Sequence, residues 1–174
     1  HVYHYRKLIH RDGYGYQSFS LMAKLAFRFL LLQKKVLFKK TNLREVRINL
    51  TLTQHLSCKA RINGFKANLL IDTGASNSCI ALAQKNYFSI MEKGIPFEAA
   101  GAGEDKMKAI LAHNCNLFLG RHFMGEQSFV LLDMQYINAT LVKEGGKTID
   151  GILGNDFLRK HKVIIDYSKK KMMF

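Results

Sequence analysis

Alternation of apolar and polar side chains with a period of two defines the first regular elements of the chain. Residues 46–53 alternate in this way, and so do residues 58–62, which is typical of strands that bury one face. Asn63-Gly64 follows directly and indicates a two-residue hairpin turn, because both residues tolerate positive φ. The pattern therefore predicts a hairpin whose second strand runs from Phe65 to Ile71.

The rest of the chain also shows short apolar segments separated by turn residues. Residues 78–84 predict a short strand or turn, whereas residues 87–97 give no clear pattern and Pro96 indicates irregular structure. Four further segments predict strands, at Ala109 to Leu119, Gln127 to Leu132, Val163 to Asp166 and Lys171 to Phe174. Many short strands with turns every ten residues or so favour an all-β domain.

Two segments are predicted to be helical. From Ser20 to about Lys40, apolar residues recur every three to four positions between lysines and arginines, which predicts a short basic amphipathic helix. A second short helix is predicted from Phe157 to His161, with Asp156 as its cap. Residues 133–149, with Gly145-Gly146 among them, are interpreted as a loop.

The positive charge is concentrated at the start of the chain. Of the net charge of +14, residues 1–66 carry +12 and residues 67–174 carry +2. We therefore divide the chain into a basic N-terminal extension, residues 1–41, and a main domain, residues 42–174. The extension has two interpretations, a contact for anionic membrane or nucleic acid or a solvated leader. Met22 would be a natural start, so residues 1–21 are interpreted as a stretch that need not be native.

Targeting signals and metal-site patterns do not stand out in the sequence. No apolar stretch approaches the ~20 residues that cross a bilayer, which favours a cytoplasmic protein or one docked at the membrane periphery through its extension. The three cysteines are far apart, and the histidines lack metal-ligand spacing. We therefore expect no disulfide framework, no metal and no cofactor.

One carboxylate stands where an apolar strand ends. Leu69, Leu70 and Ile71 run directly into Asp72, which is followed by Thr73 and Gly74. A carboxylate in such surroundings is costly unless it is paired or hydrogen-bonded, so Asp72 is the candidate functional acid. Neither Asp-Thr-Gly nor Asp-Ser-Gly occurs a second time in the 174 residues.

Three segments together resemble the retropepsin-like (clan AA) aspartic proteases, with small single-domain bacterial members as the nearest type. These segments are LLIDTGAS at 69–76, AAGAG at 99–103, and IDGILGNDFL through IIDY at 149–167. The resemblance covers about residues 44–174. It implies an all-β acid-protease fold, with one half-barrel lobe per chain and one short C-terminal helix.

The resemblance also implies the chemistry of Asp72. Since each chain supplies one such acid, a homodimer would bring two Asp72 carboxylates together to activate a water against a peptide bond. Thr73 would hydrogen-bond across the two-fold axis, Gly74 would offer its N–H to the carboxylates, Ala75 is the small residue expected next, and Ser76 would hydrogen-bond back into the loop. The partner molecules are then a second copy of the chain and an extended peptide or protein substrate.

Two further segments take supporting roles by the same resemblance. Ala100, Gly101, Ala102 and Gly103 would form the tip of a flap that closes over the substrate. Gly151, Ile152, Leu153 and Gly154 would pack behind the active-site loop. An aspartic endopeptidase is the expected function, and a non-proteolytic, dimeric peptide-binding module of the same fold is the alternative.

Overall fold

The computed structural model describes residues 43–100 and 106–174. The described strands are β1 (Glu45–Leu50), β2 (Leu56–Ile62), β3 (Phe65–Ile71), β4 (Cys79–Ala81), β5 (Met91–Ala100), β6 (Lys106–Leu119), β7 (His122–Leu132), β8 (Gly151–Leu153), β9 (Ile164–Asp166) and β10 (Lys171–Met173). The helices are α1 (Gln135–Lys143), α2 (Asn155–Lys160) and a 3-10 turn at Leu82–Gln84. The expectation of an all-β fold is therefore confirmed.

The hairpin of β2 and β3 has the predicted register-setting turn. Asn63 and Gly64 have φ of 50° and 90°, so both adopt the left-handed conformation that a two-residue hairpin turn requires. Seven residues of β2 pair with seven of β3, from Ile62 opposite Phe65 to Leu56 opposite Ile71. This pairing fixes which side chains of β3 face the core and carries the strand to its end at Asp72.

A single sheet connects the described strands and places distant segments side by side. β8 lies between β3 and β4, parallel to β3 and antiparallel to β4. β6 also pairs with β2, which folds the sheet back on itself. The residues after β3 and those after β8 therefore end up next to each other, although they are about eighty positions apart in sequence.

Buried apolar residues form two clusters on opposite faces of the sheet. The larger cluster contains Ile48, Leu69, Phe88, Phe129 and Leu153 among its members. The smaller one contains Leu70, Cys79, Ala81, Met134, Leu141 and Ile149. Because adjacent strand residues point to opposite faces, Leu69 and Leu70 belong to different clusters, and β3 is buried on both sides.

The interpretation of residues 133–149 as a loop was wrong for residues 135–143, which form helix α1, and correct for residues 144–149. Met134, Ile137 and Leu141 are spaced three and four positions apart, so they face one side and pack into the smaller cluster. Asp133 accepts the N–H of Gln135 through Oδ1 at 2.8 Å, which satisfies one free amide at the start of the helix. The described domain thus has two α-helices, whereas the sequence predicted one.

The remaining predictions concern residues 87–97, the division of the chain and the N-terminal extension. Residues 87–97, which gave no clear pattern, contain the start of β5, and its pairing with β6 shifts register between Lys93 and Phe97, around Pro96. The described elements belong to one compact unit, residues 43–174. The predicted helix of the extension, residues 1–41, lies outside the described residues. Within the described residues, no helix combines the length and the apolar character needed to cross a membrane.

Candidate functional site

Asp72 lies at the point where β3 leaves the sheet. Its backbone N–H donates to the carbonyl of Leu153 at 3.1 Å, which extends the parallel pairing of β3 and β8 by one step. Its side chain is half-buried, whereas those of Thr73 and Ser76 are exposed. The sheet therefore fixes the backbone of Asp72 and leaves the following loop to face outward.

The carboxylate of Asp72 is oriented by its own loop. Gly74 donates its N–H to Oδ1 of Asp72 at 2.8 Å. A Cβ at Gly74 would lie 3.2 Å from the same oxygen, which is a tight approach that a side chain would crowd. Because residue 74 is glycine, its backbone N–H can come close enough to hydrogen-bond the Asp72 carboxylate.

Strand β8 and Gly154, the residue after it, pack closely against the backbone of residues 75–79. A Cβ on Gly154 would lie 2.7 Å from the carbonyl carbon and oxygen of Asn77 and 2.9 Å from the carbonyl oxygen of Ala75. On Gly151 it would lie 2.4 Å from the carbonyl oxygen of Cys79. At both positions a side chain would collide with backbone that cannot move away, so glycine is required for close approach.

Ser78 and Asp156 join the loop to helix α2, and sequence reasoning missed this connection. Oδ1 of Asp156 accepts the N–H of Ser78 at 2.9 Å and its hydroxyl at 2.7 Å. The hydroxyl of Ser78 also accepts the N–H of Gly154 at 3.0 Å. Asp156 was expected to be the cap residue, but Gly154 precedes α2 in that position and Asp156 lies in the first turn. Its Oδ1 accepts the N–H of Phe157 at 2.7 Å in addition to the two bonds from Ser78.

Backbone bonds complete the attachment of the loop to α2. Asn155 donates its N–H to the carbonyl of Ala75 at 2.7 Å, and Asp156 donates to that of Ser76 at 3.2 Å. The first amides of a helix have no partner within the helix, so these loop carbonyls satisfy them. The side-chain bond expected for Ser76 and the cross-axis bond expected for Thr73 stay predictions.

A pocket of about 340 Å³ opens beside the strand that carries Asp72. Leu70 and Asn68 line it from β3, and they share a face with Asp72 because strand residues two apart point the same way. The opposite walls come from residues 49–53 and from the segment after α1, residues 145–149. The latter wall lies in the part of the predicted loop, residues 133–149, that is a loop in the structure, but the sequence did not predict helix α1, to which the wall is hydrogen-bonded.

The predicted flap tip falls at the end of the hairpin of β5 and β6. Ala100 is paired with Lys106 at the last described register position. Gly101, Ala102 and Gly103 lie outside the described residues, so their role as a flap stays a prediction. The described part of β5 exposes Met91, Ile95 and Phe97, so the hairpin presents apolar side chains to its surroundings.

Burial and hydrogen bonds shift the pKa values of two cysteines and one aspartate outside the active-site loop. Burial raises the pKa of the Cys58 thiol to about 12 and that of Cys79 to about 11, so both stay protonated near neutral pH. The Ser168 hydroxyl, with help from the N–H of Lys169, lowers the pKa of Asp166 to about 2. Among the described residues, no group of three or more His, Cys, Asp or Glu is arranged to hold a metal ion.

Comparison with known proteins adds a family match and a set of similar solved structures. The family model described as "Aspartyl protease" matches residues 58–157, more than half of the chain. A search of curated proteins finds no significant match.

The similar structures are distant in sequence. The retropepsin-like aspartic protease from Rickettsia conorii is 17% identical, with a TM-score of 0.49, over 75% of this chain and 90% of that one. The retroviral protease-like domain of Ddi1 from Leishmania major is 16% identical, with a TM-score of 0.46, over 64% and 81%. EIAV protease, complexed with the inhibitor HBY-793, is 19% identical, with a TM-score of 0.40, over 60% and 85%.

Proposed function

The chain belongs to the aspartyl protease family, and on that premise we propose that it hydrolyses peptide bonds with two Asp72 carboxylates, one from each subunit of a homodimer. Membership confirms the resemblance to aspartic proteases, and the matched residues, 58–157, contain the LLIDTGAS segment at 69–76. The observation that carries the proposal is the bond from the Gly74 N–H to Oδ1 of Asp72, in a loop that is braced from behind. It orients one carboxylate outward from the end of a fixed strand.

The chemistry requires a second carboxylate within about one hydrogen bond of the first. Two like charges so close do not both ionise comfortably, so the pair shares one proton. The ionised member takes a proton from a water, which attacks the peptide carbonyl, and the protonated member hydrogen-bonds the developing oxyanion and then helps the amine to leave. Water is the nucleophile, so no covalent intermediate forms.

A two-fold dimer supplies the second carboxylate. The chain has one Asp-Thr-Gly motif, so an equivalent acid has to come from another copy. The exposed side chain of Thr73 lies next to Asp72 and is free to face the partner's loop. Dimer formation and activity are therefore one property in this proposal, because a solitary chain holds half of the catalytic pair.

The pocket beside β3 suits one side chain of an extended peptide. Its volume of about 340 Å³ corresponds to roughly ten liquid water molecules, which is room for one large side chain. It begins at Leu70, two residues before Asp72, so a peptide lying over the carboxylates would reach it with a residue near the scissile bond. Symmetry would provide the same pocket on both sides of that bond.

Digestion of a peptide library by the purified full chain at pH 3 to 7 tests the proposal. We expect cleavage by the wild type and none by Asp72→Asn. Asp133→Asn is the matched control, because Asp133 lies at the start of α1 and asparagine can also accept the N–H of Gln135. If Asp72→Asn digests the library as the wild type does, Asp72 is not the catalytic acid.

Mixing the two proteins tests the shared site directly. Equal amounts of wild type and Asp72→Asn are mixed and allowed to exchange subunits. If the site is shared between two chains, the mixture has about a quarter of the activity of the same total amount of wild type, since about a quarter of the dimers carry two aspartates. Independent sites would leave about half. A linear fall with the wild-type fraction would therefore contradict the paired carboxylates, whereas a wild-type dimer that binds peptides without cleaving them would favour the non-proteolytic module.

A further inference from the structure

The pocket beside Asp72 has an apolar floor and a polar rim. Leu70, Leu141 and Ile149 are buried and form its base. The rim contains Lys59 from β2 and Lys147 from the segment after α1. Among the described residues that line the pocket, two are lysines and none is aspartate or glutamate, so its mouth carries positive charge.

The wall that carries Lys147 is held by α1. The side-chain amide of Asn138 donates to the carbonyl of Ile149 at 3.1 Å and accepts the Ile149 N–H at 2.9 Å. Gly146 donates its N–H to the carbonyl of Leu141 at 2.8 Å. The segment is thus tied to the helix at both ends, and a tied wall keeps its rim group near one position, which favours selective binding.

Lys59 still has capacity to bind an anion. Its Nζ donates to Oδ1 of Asn68 at 3.3 Å, and a lysine ammonium has three protons to donate. Asn68 is neutral, so the charge of Lys59 is not cancelled by this bond. The carboxylate of Asp150, just before β8, accepts the backbone N–H of Asn68 at 2.7 Å, and Asp150 is not among the residues that line the pocket.

We infer that this pocket selects an acidic side chain of the substrate, above all glutamate, and that Lys59 and Lys147 determine this specificity. A glutamate that lies across the pocket would cover the apolar floor with its two methylene groups and bring its carboxylate to the ammonium groups at the rim. A lysine of the substrate would meet like charges there. The inference rests on the proposed function, since it names the peptides on which that function acts.

The geometry also limits where the acidic residue lies in the peptide. Strand residues rise about 3.3 Å each, so Asn68, the neighbour of Lys59, lies about 13 Å along β3 from Asp72. An extended peptide covers that distance in about four residues. The preference is therefore expected within four positions of the scissile bond, and on both sides of it if the site is two-fold.

Matched peptides that differ only in one residue test the inference. Glutamate, glutamine and lysine are placed in turn at each of the four positions on either side of the scissile bond, and kcat/KM is measured for wild type, Lys59→Gln, Lys147→Gln and the double variant. An exposed ion pair contributes up to about 1 kcal/mol, so we expect the wild type to prefer glutamate over glutamine about five-fold at one position or more. The double variant should lose this preference, and Lys59→Glu with Lys147→Glu should favour lysine.

Controls separate this inference from the proposed function. Lys162→Gln removes an exposed lysine beyond α2 and should leave the preference unchanged. Binding of the same peptides to Asp72→Asn, followed by fluorescence anisotropy, gives the preference without turnover. Equal kcat/KM for glutamate and glutamine peptides, or a preference that survives in the double variant, would overturn the inference while hydrolysis stands. Peptides that bind with the glutamate preference but are never cleaved would support it and overturn hydrolysis.

Discussion

Removing one hydroxyl tests whether the connection behind the site holds the loop that carries Asp72. Ser78 is buried, and its Oγ donates to Asp156 at 2.7 Å and accepts the N–H of Gly154 at 3.0 Å. In Ser78→Ala the Gly154 N–H loses its acceptor, and the Asp156 carboxylate loses one donor. A buried group left without its partner costs about 1–3 kcal/mol. We therefore expect the free energy of unfolding to fall by about 2 kcal/mol.

Urea unfolding followed by circular dichroism measures this change. With a slope of about 1–3 kcal/mol/M for a small domain, the midpoint should fall by about 1 M while the slope stays constant. Peptide cleavage should fall as well, because a displaced loop misplaces the carboxylate of Asp72. Ser128→Ala, the same change at an exposed serine, should alter stability by less than about 0.5 kcal/mol. A midpoint for Ser78→Ala equal to that of Ser128→Ala would refute the reasoning.

Three further predictions follow from packing and ionisation. Gly154→Ala should destabilise by about 3 kcal/mol or more in the same urea assay, because its Cβ would overlap the backbone of Asn77; an unchanged midpoint would contradict this contact. The carboxylate of Asp166 should stabilise the fold above pH 4 and cease to do so as pH falls toward 2, because its folded-state pKa is lowered to about 2. The free energy of unfolding of Asp166→Asn should therefore differ from that of the wild type at pH 5 and converge with it near pH 2. A difference that stays constant over this range would contradict the prediction. Thiol alkylation, followed by mass, should be slow in the folded protein and fast in urea, because burial raises the pKa of the thiols of Cys58, Cys79 and Cys115; rapid labelling without urea would contradict their burial.

The elements that could be predicted from the sequence are determined by residues that lie close together along the chain. The β2–β3 hairpin follows from local alternation and from Asn63-Gly64, so it could be predicted with its turn. Asp72 could be singled out because Thr73 and Gly74 follow it, whereas Asp133 and Asp166, which also come after three apolar residues, lack such neighbours. Both signals lie within a few positions, where physical rules act without knowledge of the rest of the chain.

The features that the sequence did not predict depend on contacts between distant segments. The bond between Ser78 and Asp156 joins residues 78 positions apart, and a serine or an aspartate gives no local sign of such a partner. Helix α1 did have a periodic signal in Met134, Ile137 and Leu141, but the glycines at 145 and 146 led to a loop interpretation. The loop that carries Lys147 was predicted, but without α1 neither its attachment to the helix nor the placement of Lys147 at the pocket could be foreseen.

The parallel pairing of β3 with β8 has a consequence for how the protein matures. Local structure such as a hairpin can form early, but a pairing that closes some eighty residues of intervening chain waits until most of the domain has assembled. An unfinished polypeptide can therefore contain every residue of the site and still lack the site itself. The geometry that holds Asp72 therefore exists only after this long-range pairing has formed.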